Sequence, residues 1–62
     1  MSPEREAIEE LIRRDWTIRR IAESTGASAA TISNIRKGES RAPVHLTPRI
    51  LRLAASVRRN PD

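Results

Sequence analysis

Residues 18–37, IRRIAESTGASAATISNIRK, carry the pattern that decides the fold. Ile18, Ile21, Ala22 and Thr25 recur at helical spacing, so one stripe of the first half can face a core. Gly26 ends that helix, because a residue without Cβ takes the left-handed conformation that closes a helix at little cost. Ser28 follows as an N-cap, its hydroxyl free to accept from the backbone N–H near Thr31. A second helix starts there.

At roughly 3.6 residues per turn, Ile32 and Ile35 fall on one side of this second helix, while Ala30, Ser33, Asn34 and Lys37 fall on the other and Ala29 lies at its edge. The outer face is short, polar and slim. Solvated helix faces usually carry long charged side chains. Small residues with a single Asn instead let the backbone approach a partner closely and leave Asn34 for a directional contact. A DNA major groove fits that description, since Asn pairs bidentately with adenine and alanine methyls touch thymine methyls.

Ala22, Gly26 four residues later, and Ile32 and Ile35 beyond them resemble the helix-turn-helix signature. The run IAESTGASAATISNIRKG at 21–38, followed by TPRILRLAA at 47–55, is similar to the DNA-reading headpieces of the lac repressor family. The helix placed before this run and Gly38 after it resemble more closely the lambda repressor-like and Cro-like domains of phage regulators. The resemblance covers residues 8–57. Thr25 and Ala27 depart from it, standing where such motifs usually have larger apolar residues; this implies a turn anchored less tightly.

Sixty-two residues bound the chain to one small domain, and a domain of this size buries only about 60% of the surface its unfolded chain exposes. With no cysteine and a single His45, neither a disulfide framework nor a zinc site is expected. No apolar run approaches the roughly 20 residues of a membrane span, and no signal-peptide core is present. The expected compartment is the cytoplasm. The net charge of +4 is unevenly placed. Residues 1–15 hold three Arg against five acids, whereas residues 16–62 hold nine basic against three acidic residues. One end repels a polyanion and the rest attracts it.

Ser2-Pro3-Glu4 predicts a helix start, and the first helix is expected over about 3–15, with Ile8, Leu11 and Ile12 on one face. Glu9 with Arg13 and Glu10 with Arg14 have i,i+4 spacing, and Glu4, Glu6, Glu9 and Glu10 read as a solvated face. Trp16, the only aromatic residue, reads as a plug between helices. Thr17 is expected to cap a helix over 18–25, and Ser28 one over 28–37. Gly38 to Pro43 reads as a loop. Thr47-Pro48 repeats the cap-plus-proline start, so a last helix is expected over 48–59, with Ile50, Leu53, Ala54 and Val57 closing the core. Asn60-Pro61-Asp62 reads as a frayed polar tail. The fold class is thus all-α: a compact bundle of four short helices containing a helix-turn-helix.

The leading functional expectation is a sequence-specific, double-stranded DNA-binding regulator, a Cro-like repressor. Ser28, Ala29, Ala30, Ser33 and Asn34 would meet base edges. Thr17, Arg19, Arg20, Thr31, Arg36, Lys37 and Arg41 would hold phosphates. A second copy of the chain is a candidate partner through Val44, Leu46 and Leu51. No cofactor, metal, membrane or small-molecule effector is expected, and no nucleophile–base pair or ligand cluster suggests an enzyme. Two other readings share the composition: a protein-interaction module such as an antitoxin or adaptor, and an accessory factor for recombination or excision.

Overall fold

Ser2, Thr17 and Ser28 each start a helix in the computed structural model, which describes residues 2–59. The four helices are α1 (Pro3–Arg13), α2 (Ile18–Thr25), α3 (Ala29–Lys37) and α4 (Thr47–Arg59), with no strand among the described residues. Each cap hydroxyl satisfies a backbone N–H three residues on: Ser2 accepts from Arg5 at 3.2 Å, Thr17 from Arg20 at 3.0 Å and Ser28 from Thr31 at 3.1 Å. Gly26 and Gly38 close α2 and α3 in the left-handed region, at φ +76° and +79°. The fold is all-α. The tail expected at Asn60–Asp62 lies outside the described residues.

Gly26 is the tighter of the two caps. A Cβ there would lie 2.9 Å from Arg49 Nη1, which reaches over from α4 to donate to the Thr25 carbonyl at 3.4 Å. Gly26→Ala is therefore expected to cost about 1–2 kcal/mol, mostly as left-handed strain, because the arginine tip can swing aside. A melting temperature within experimental error of the parent would contradict this.

Three boundaries differ from expectation, that of α3 only in that Ser28 caps the helix and Ala29 is its first residue. Helix α1 stops at Arg13 because Asp15 turns left-handed at φ +69° and the Trp16 N–H bonds back to the Leu11 carbonyl at 3.0 Å. A residue in that conformation cannot continue the ladder. Helix α4 begins one residue early, at Thr47, which does not act as its cap: its hydroxyl donates to Glu4 Oε2 at 2.8 Å. Leu46, just ahead, supplies the first carbonyl of the ladder to the Ile50 N–H at 2.9 Å and is only 3% exposed. Its place in the core removes Leu46 from the proposed dimer patch.

The core joins Ala7, Ile8 and Leu11 of α1, Ile21 and Ala22 of α2, Ile32 and Ile35 of α3, Leu46, and Ile50 and Ala54 of α4. Trp16 is half-buried at its margin with Ile12, Ile18 and Ala27. Thr25 is fully buried yet satisfied, its hydroxyl donating to the Ile21 carbonyl at 2.9 Å with Ala22 O at 3.3 Å. The hydroxyl is thus satisfied within α2 itself, so Thr25 fills the core without leaving a polar group unpaired.

Helix α1 lies between α3 and α4, which do not pack on each other. Its acids make the two connections. Glu9 binds Arg36 of α3 at 3.2 Å, and Glu10 binds Arg58 of α4 at 2.6 Å as well as Arg14 at 3.6 Å. The solvated acidic face expected from sequence is therefore corrected: Glu4, Glu9 and Glu10 are half-buried and bonded across to other helices or along α1. Of the two expected i,i+4 pairs, Glu10–Arg14 forms, while Glu9 turns to Arg36 in place of Arg13.

The Arg58 hydrogen bond holds the Glu10 carboxyl below its ordinary pKa of 4.5; partial desolvation acts the other way, and the charges of Arg58, Arg14 and Arg13 add to the lowering. A carboxylate depressed in the folded state adds stability that is fully present above the unfolded pKa and is lost as pH falls through the folded value. At neutral pH, Glu10→Gln should melt below the parent. The gap should close as pH drops below about 4.5. Thermal melts of both proteins at pH 7 and pH 3 check this, and a gap that widens in acid would reverse the assignment.

Candidate nucleic-acid interface

The outer face of α3 follows from what its inner face must do. Ile32 and Ile35 are buried, which turns Ala29, Ala30 and Lys37 outward into solvent and leaves Ser33 and Asn34 half-exposed. Among the described residues, the Asn34 side chain has no hydrogen-bond partner, although its backbone carbonyl accepts from Glu39 at 3.0 Å. The face carries no acid. Its side chains are short except for Lys37, so a groove wall can approach the helix backbone closely.

Ser28 is placed differently from its neighbours. Its hydroxyl caps α3 and lies 2.9 Å from the Thr31 hydroxyl, so both oxygens are engaged in the helix start. Contact with a ligand here must share or break that pair.

The seven phosphate candidates also separate by partner, Thr31 being the half-buried one whose hydroxyl is tied to Ser28. Thr17 spends its hydroxyl on capping α2. Arg19 pairs with Glu23 at 3.4 Å, with both side chains largely in solvent, where such a pair holds weakly. Arg20 lays its guanidinium over the Trp16 ring at 3.8 Å from the centroid. Arg36 sits on the flank of α3 nearest α1 and is held by Glu9. Lys37, at the centre of the outer face, and Arg41, exposed in the loop after α3, have no ion-pair partner among the described residues. These two cations are open to an incoming anion without exchange.

Sequence reasoning missed Glu9 as the residue that restrains Arg36. The two stand 27 positions apart, and no local signal joins them. It also passed over Arg49, whose bond to the Thr25 carbonyl steadies the turn ahead of α3. That residue had a cue, since a cation beside a helix C-terminus favours the exposed carbonyls. Of the dimer candidates, Val44 is 90% exposed and Leu51 37% exposed, whereas Leu46 is buried. Compared with family profiles, characterised proteins and solved structures, the chain matches none of them.

Proposed function

We propose that this protein is a sequence-specific double-stranded DNA-binding regulator in which α2, the Gly26 turn and α3 act as a helix-turn-helix, and that it represses by occupying an operator. The observation that carries this reading is the outer face of α3: small and acid-free, with Ala29, Ala30 and Lys37 exposed and a half-exposed Asn34 whose side chain has no partner among the described residues. A major groove about 12 Å wide admits a helix of that profile. Asn34 reads a base edge, with Ala29, Ala30 and Ser33 against the groove floor. Lys37 and Arg41 take phosphates directly, and Arg19 can exchange Glu23 for one at small cost. No catalysis is required, only exclusion of polymerase from the DNA beneath, and the protein would work on DNA in the cytoplasm.

An adaptor or antitoxin reading would need an apolar surface to bury, and Val44 and Leu51 are the only large apolar side chains well exposed among the described residues. If those two join a second copy, the operator is an inverted repeat with half-sites about 34 Å apart or a multiple of that. Selection of bound duplexes from a random pool, followed by titration at two salt concentrations, tests the whole reading. A defined site with steep salt dependence is expected. Asn34→Ala should then cost about 1–3 kcal/mol on the selected site and relax preference at one base position. An equal loss on every duplex would show that Asn34 reads no base, and absence of salt-dependent binding would leave the adaptor reading.

A further inference from the structure

We propose that α4 carries a second nucleic-acid surface, independent of α3, built from the arginine stripe Arg49, Arg52 and Arg59. The proposal takes its partner class from the DNA-binding reading above and adds a second point of attachment. Spacings of three, four and three residues place Arg49, Arg52, Ser56 and Arg59 along one side of α4, opposite Ile50, Ala54 and Val57. All four are exposed, and among the described residues no carboxylate lies within ion-pair distance of the three arginines; Arg49 donates to the Thr25 carbonyl, so Arg52 and Arg59 are the two that meet an anion without giving up a bond. From Arg52 to Arg59 the helix rises about 10 Å, and from Arg49 about 15 Å, enough to follow several phosphates of a strand.

Helices α3 and α4 do not pack on each other, and each is tied to α1, by Glu9–Arg36 and Glu10–Arg58. Arg52 and Arg59 thus lie on an element that α3 does not touch, which suits a separate DNA segment. A second copy of the chain is a poor complement, because Glu4, Glu9 and Glu10 are already bonded within the fold and the exposed acids Glu6, Asp15 and Glu39 lie on different segments of the chain. A protein partner is disfavoured as well. Beside Arg52 and Arg59 stand Ala55 and Ser56, with Leu51 at the edge as the one large apolar side chain exposed on this helix, too little for an apolar anchor, whereas arginine forks match phosphate oxygens. The protein would thus hold one DNA segment by sequence on α3 and a second by charge alone on α4, bridging the two.

The test mixes the full chain with donor-labelled and acceptor-labelled copies of the selected duplex at low salt and reads both anisotropy and energy transfer between duplexes. Arg52→Gln/Arg59→Gln is expected to lower bridging by about tenfold while single-duplex binding by α3 persists. Ala30→Glu, which blocks α3, should keep weak, sequence-blind binding with a log–log salt slope of about −2 to −3, the value for two or three phosphates. Adding the double arginine change should abolish that residue of binding. Bridging unchanged by the arginine changes, or no duplex binding left in Ala30→Glu, overturns the second surface and leaves the α3 reading intact. Full binding in Ala30→Glu that vanishes with the arginine changes keeps the stripe and removes the α3 reading. No duplex binding by any variant removes both. Poly-glutamate displacing duplex from the stripe as well as DNA does would overturn the assignment to phosphate.

Discussion

Replacing Ile32 with Ala is expected to remove about 2–5 kcal/mol of folding free energy, the range for truncating a fully buried isoleucine. Ile32 has no exposed surface and is enclosed with Ile8, Leu11, Ile21, Ile35 and Ile50. At about 0.05–0.15 kcal/mol per residue, a chain of this length has only about 3–9 kcal/mol in total. The variant should therefore be largely unfolded at 37 °C or close to it, and the denaturant midpoint should fall steeply. The change also tests how α3 is turned. If the inner face were wrongly assigned, Ile32 would stand in solvent and its truncation would shift stability by no more than about 0.5 kcal/mol.

That assignment was legible because helix termini and helix faces are local properties. A cap hydroxyl meets an N–H three residues away, as at Ser2, Thr17 and Ser28, and a left-handed glycine closes its own helix, as at Gly26 and Gly38. The spacing of Ile32 and Ile35 set the buried side of α3, and with it the exposure of Ala29 and Ala30. Partners brought together by packing left no such trace. Glu4 with Thr47, Glu9 with Arg36 and Glu10 with Arg58 are separated by 43, 27 and 48 positions, and each depends on the angle at which one helix crosses another. For this reason the acids of α1 read as solvated, Thr47 read as a cap, and Arg36 read as free for phosphate.

Leu46 misled for a related reason. In a loop, hydrophobic periodicity has no phase, so nothing in the order of Val44, His45 and Leu46 says which apolar side chain turns inward. The fold decides it by making Leu46 the last residue before α4, where its carbonyl starts the ladder and its side chain drops onto the core. Val44, two residues earlier, is left in solvent. The legible part of the candidate site is therefore the α3 face, and the illegible part is the state of the cations around it.

Ala30→Glu is expected to weaken duplex binding by about a hundredfold, roughly 3 kcal/mol, because it sets a carboxylate and a longer side chain where the reading above puts the groove floor and its flanking phosphates. Stability should move the other way. Ala30 is exposed in the first turn of α3, and an acid in that turn favours the helix dipole by about 0.3–1 kcal/mol. A higher melting point with lost binding separates a damaged interface from a damaged fold, which Ile32→Ala cannot do. Two further substitutions at the same position divide charge from size. Ala30→Gln keeps the bulk without the charge and should lose less; Ala30→Lys keeps the bulk with the opposite sign and should retain sequence-blind affinity while losing preference for the selected site. If all three bind the selected duplex as the parent does, the outer face of α3 does not enter a groove, and the regulator reading fails at its central contact.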